Sequence, residues 1–174
     1  MPVLKLLILL ILLMLVYQDF KYRMVYAVLF PVLCILFVWH RWLDQESFSV
    51  IFSQCAAALL FLGAQLALLT LYFSFRFRRW TPVSGKLLAW GDILLLAAIG
   101  CYLSFLNYVL FYLLSAVATL LCWMIAQAWR KKPAAGVPLA GFQALFFAMA
   151  FIYSWVHPSF SLQDERWMYQ LTGQ

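Results

Sequence analysis

AWGDILLLAAIG, residues 89–100, sets one carboxylate, Asp92, in an otherwise apolar run. A charged side chain at the centre of a lipid-crossing helix costs about 2.5–3.5 kcal/mol on insertion scales, so an acid kept there marks a functional site by default. The run belongs to a chain whose residues are 67% hydrophobic and only 10% charged. Soluble domains are nearer half apolar and a quarter charged. The expectation is an all-α, polytopic membrane protein, with residues 1–174 forming a single integral membrane domain.

A helical span needs about 20 apolar residues. Runs that approach or exceed this lie at about 3–18, 25–43, 48–74, 87–103, 108–129 and 138–156. They predict a six-transmembrane-helix bundle, with Pro31 kinking the second span. The first run follows Lys5 as a signal peptide would, but it ends in Val16-Tyr17-Gln18-Asp19 with no small-x-small cleavage site. It reads as a retained span.

Six spans sort the cations. Lys21, Arg23, Arg76, Arg78, Arg79, Lys86, Arg130, Lys131 and Lys132 fall on one side, and Lys5, Arg41 and Arg166 on the other. The positive-inside rule makes the richer side cytoplasmic and puts both termini outside. The net charge of +6 is then a topology signal toward the lipid bilayer, and no nucleic-acid partner is expected.

The six acids sort by elimination. Asp44, Glu46, Asp164 and Glu165 fall in an outer loop and the outer tail, leaving Asp19 and Asp92 at the cytoplasmic end. Asp92 lies five residues beyond Leu87, roughly 8 Å deep at 1.5 Å per residue. If spans one and four are neighbours, the two carboxylates meet and share a proton. One takes a proton from water while the other gives one to a carbonyl oxygen, which is aspartic-protease chemistry. Arg23, four residues after Asp19, supplies a counter-charge if the helix continues that far. Gly91 permits close approach beside Asp92. Each acid also has an ordinary explanation. Asp19 near Lys21 and Arg23 suits a solvated helix end, and Asp92 suits snorkelling or an interhelical hydrogen bond.

Gly91-Asp92-Ile93, with Leu95-Leu96-Ala97-Ala98-Ile99-Gly100 behind it, resembles the second aspartate motif of the type IV prepilin and preflagellin peptidases, the GxGD-type intramembrane aspartic proteases. Asp19-Phe20-Lys21-Tyr22-Arg23-Met24-Val25 resembles their first motif. Val137-Pro138-Leu139-Ala140-Gly141-Phe142 more faintly resembles the Pro-containing start of their last span. The resemblance implies that Asp19 and Asp92 are the catalytic pair. It implies a prepilin-like or pseudopilin-like membrane precursor, cleaved at its cytoplasmic leader, without metal or cofactor. Ala89 stands where the motif has its first glycine, Leu94 where it has a lysine, and Tyr26 where a proline often follows the first motif. No CxxC pair of a methyltransferase extension is present.

Two rival functions stay open at this point. One is a catalytically silent relative serving as an envelope-complex component. The other is a small proton or cation transporter, against which the lack of an acid in the outer half of any span weighs. Gln54, Gln65, Gln127 and Gln143 read as interhelical hydrogen-bond partners. His40 and His157 fall at the outer end, away from the acids. Cys34, Cys55, Cys101 and Cys122 lie singly in apolar runs and read as small buried fillers, with no zinc site or disulfide framework.

Overall fold

A computed structural model describes residues 2–22, 24–78, 89–128, 139–157 and 161–165. Every regular element among them is a helix: α1 (Pro2–Tyr22), α2 (Leu29–Leu43), α3 (Phe48–Phe77), α4 (Trp90–Gly100), α5 (Phe105–Ala128) and α6 (Leu139–Val156). Of these, α1, α3, α5 and α6 contain stretches long and apolar enough to cross a membrane. The other two have 15 and 11 residues, about 22 and 16 Å of helix at 1.5 Å per residue, against a hydrocarbon core of about 30 Å. The six expected spans are therefore four full-length helices and two short ones.

Local chemistry explains where the helix ends move. Pro31 is the third residue of α2. Its missing N–H falls where a helix has no intrahelical acceptor to offer, so it opens the helix and does not kink it. α1 runs on through Asp19 to Tyr22. α4 starts at Trp90, not near residue 87, so Asp92 lies in its first turn and not within the helix body. The amides of Cys101, Tyr102 and Leu103 turn back onto Ala98 and Ile99 carbonyls. α5 then begins at Phe105, earlier than expected.

α1, α2, α4 and α6 form a four-sided ring. α1 packs on α2 and α6, and α4 packs on the same two helices from the opposite corner. Among the described residues α1 and α4 make no direct helix contact, so the expectation that the first and fourth helices sit side by side is corrected. The middle of the ring is filled by large rings from three directions. Phe37 of α2 meets Phe147 of α6 with centroids 5.4 Å apart, and Tyr102 lies 4.9 Å from Phe37 and 5.5 Å from Phe151. α3 and α5 pack outside α4 and leave most of their apolar surface exposed. Apolar faces on that scale belong against lipid or protein rather than water.

The ring is tied at the end of α2 by Arg41, which is fully buried. Its Nε donates to Glu46 Oε2 at 2.7 Å, its Nη2 to Gln54 Oε1 at 2.5 Å, and its Nη1 to the Cys101 carbonyl at 3.4 Å. Arg41, counted by sequence among the outer-side cations, is thus part of the packed interior. A guanidinium survives burial only when its fork is filled by partners such as these.

Gly100 sets the spacing of α3 on α4. A Cβ there would sit 2.9 Å from Ala58 Cβ and 3.4 Å from the Tyr108 ring, whereas one at Gly63 would meet nothing within 4 Å. Thermal unfolding of detergent-solubilised protein should therefore separate the two sites. Gly100→Val should lose about 1–3 kcal/mol to overpacking, while Gly63→Ala should be neutral or stabilising by up to about 1 kcal/mol.

Candidate functional site

A helix start leaves four backbone N–H groups without intrahelical acceptors. In a bilayer each must find another partner. At the start of α6 two of those partners are carboxylates from other helices. Asp19 Oδ2 accepts from the Gly141 amide at 2.5 Å, and the Asp92 carboxylate lies within interaction range of the Ala140 amide. The acids therefore rest on consecutive amides of one helix end, within Coulombic range of each other. The positive end of the α6 dipole suits them there.

Each acid also belongs to its own helix. Asp92 is the third residue of α4, and its Oδ2 accepts from the Ala89 amide at 3.2 Å. This is one half of a capping box; the alanine side chain cannot return the bond. Asp19 lies in the last turn of α1, on the stripe that also buries Ile8, Ile11, Leu12 and Leu15. Asp19 is 9% exposed and Asp92 7%, which removes the reading of Asp19 as a solvated boundary residue. Phe20 closes the junction, its ring 5.0 Å from that of Phe142 and edge-on to it.

The glycine that matters sterically is not the one the sequence pointed to. A Cβ at Gly91 would make an ordinary 3.8 Å contact with Phe30, so the backbone there is not pressed close to a neighbour. A Cβ at Gly141 would stand 2.8 Å from Asp19 Oδ2 and 2.9 Å from the Phe20 ring. Gly141 thus holds open the seat of Asp19. Arg23, and Val137-Pro138 at the head of the third motif, lie outside the described residues.

Two glutamines add to the site. Gln18, beside Asp19 and 4% exposed, accepts from the Tyr26 amide at 3.2 Å and so anchors the α1–α2 connection. It also borders a groove of about 520 Å³ that includes Met14, Tyr17, Met24 and Tyr26. Gln143, three residues after Ala140 and on its face, is 1% exposed, and its Oε1 has no hydrogen-bond partner among the described residues. Expected as an interhelical partner, it keeps an unfilled acceptor. Nothing in the order of residues singles out Gln18, and Gly141 enters there only as part of the faint third motif. Among the described residues no cluster of His, Cys, Asp and Glu is suited to a metal ion.

Neither a protein-family model, nor a curated protein, nor a solved structure matches this chain.

The seat at Gly141 makes a sharp expectation. Gly141→Ala should displace Asp19 and separate α1 from α6, lowering stability by about 1–3 kcal/mol, the usual range for an inserted methyl in a full core. Gly91→Ala should stay within about 0.5 kcal/mol. Denaturation midpoints of the two variants in one detergent check this.

Proposed function

We propose that the chain is an intramembrane aspartic endopeptidase of the prepilin-peptidase type, with Asp19 and Asp92 as its catalytic pair. The observation that carries this reading is the seating of the two carboxylates on the adjacent Ala140 and Gly141 amides. They are the buried acids among the described residues. Buried carboxylates brought together from distant parts of a chain are costly, and a dyad that shares one proton is the arrangement that puts such a pair to use.

The chemistry then runs in a conventional order. The ionised member takes a proton from a water held between the two. The hydroxyl oxygen bonds to the scissile carbonyl carbon, and the protonated member gives its proton to the carbonyl oxygen. Collapse of the tetrahedral intermediate breaks the C–N bond, and the leaving nitrogen receives a proton. The pair is one titrating unit, so neither acid is assigned a fixed role. The largely apolar groove beside Gln18 suits the helical part of a membrane precursor.

In this reading α2 and α4 also cross the bilayer, giving six spans. The excess of cations at the acid-bearing end supports a site facing the cytoplasm, with both termini outside and the protein in a bacterial or archaeal cytoplasmic membrane. The substrate is a prepilin-like or pseudopilin-like precursor with a leader on that face.

Co-expression with such precursors from the same genome tests the proposal. The parent chain should convert a precursor to a shortened form seen by gel shift and mass spectrometry. Asp19→Ala and Asp92→Asn should each lower cleavage by at least about 10³-fold, in line with losing one member of a catalytic unit, while keeping the helical circular dichroism signal. Retained cleavage in either variant removes the peptidase reading and leaves a structural role for the pair.

A further inference from the structure

Cysteines scattered through apolar runs read as fillers, yet three of the four meet. Cys34 comes from α2, Cys55 from α3, and Cys101 from the residue that ends α4. Cys55 Sγ lies 2.9 Å from Cys101 Sγ, and Cys34 lies within interaction range of the same Cys101 thiol. Cys101 is thus the shared neighbour of two thiols on different helices. Packing alone asks for no such sharing. Thiol–disulfide exchange does, because one sulfur must be reachable by two others.

The arrangement also has a way in. Cys101 is buried, but Cys34 lines an open groove of about 530 Å³ walled by Ile35, Val38, Trp39, Trp42 and Phe48. That volume lies in the range of small-molecule sites. The walls are apolar and aromatic, and the one reactive group on them is a thiol. A flat, lipid-soluble acceptor of two electrons suits these walls; a charged or peptide oxidant does not.

We propose that Cys34, Cys55 and Cys101 form a dithiol–disulfide site that is oxidised by a quinone dissolved in the bilayer and seated in the groove at Cys34. The Cys34 and Cys101 S–H bonds break, their sulfurs join, and the two electrons and two protons pass to the quinone, which leaves as hydroquinone. Cys55 then attacks the Cys101 sulfur. The Cys34–Cys101 bond breaks as Cys55–Cys101 forms, and the Cys55 proton moves to Cys34, so this second step is redox-neutral. The product is a covalent tie between α3 and the end of α4. Cys122 has no part in it.

The test uses the full chain, reduced and held without oxygen in detergent, with a short-chain ubiquinone as probe. Hydroquinone is followed by absorbance, and free thiols are counted by maleimide mass shift after denaturation. The free thiols should fall from four to two, with one hydroquinone formed per chain and a Cys55–Cys101 link in the peptide map. Cys122→Ala should leave both readings unchanged. Cys34→Ala should slow quinone reduction by about tenfold or more, while diamide still forms the Cys55–Cys101 link. The proposal fails if four thiols persist in the parent chain. It fails equally if the link involves Cys122, or if diamide forms the link and quinone does not. Because parent chain, Cys34→Ala and Cys122→Ala suffice, the result does not depend on whether Cys101→Ala folds.

Discussion

The start of α6 has backbone amides that no carbonyl of its own helix can reach, and the surrounding apolar helices offer little in exchange. Asp19 and Asp92 meet that need. The same two bonds draw the end of α1 and the start of α4 to one point, although those helices stand at opposite corners of the ring. A single constraint therefore accounts for the tolerance of two acids in apolar surroundings, for the absence of a Cβ at residue 141, and for the way the ring closes. Charge-assisted bonds to backbone amides are among the stronger hydrogen bonds available, which suits a junction with little else that is polar.

The opposite end of the bundle uses the same economy with different groups. Arg41 fills its fork with Glu46, Gln54 and the Cys101 carbonyl. The start of α5 receives Glu165, whose Oε1 accepts from the Leu106 amide at 3.3 Å. Asn107 holds the same tail through the Leu162 and Asp164 carbonyls. Acids and amides thus close helix ends at both faces, but only at the α6 end do two carboxylates share a seat. That difference separates a candidate site from ordinary capping, and it is why the proposed chemistry is placed there.

Several residues were legible one at a time but not in their relations. Asp92 stands out in any hydropathy profile, and Asp19 follows by elimination once the loops are sorted. Their meeting point does not, because it lies on backbone amides more than 40 residues from the nearer acid. Arg41 reads as an outer-side cation at the end of the run 25–43; its burial depends on Glu46 and Gln54 folding back over it. Gly91 drew notice through the motif, yet Gly141 is the position where a methyl group would collide with a carboxylate. Pro31 reads as a kink in the sequence because the apolar run begins four residues earlier than the helix does.

Composition and hydropathy sufficed for an all-helical chain of membrane character, since the demand that lipid places on backbone groups leaves helices as the simplest answer to long apolar runs. The two acids were visible for the same reason: charge is conspicuous where almost none is present. The ring order of the helices, the seat on α6 and the gathering of three cysteines were not visible. Apolar faces of similar composition can pack in many pairings. Which pairing wins depends on particular contacts between residues far apart in the chain, such as Phe37 on Phe147 and Ala58 on Gly100.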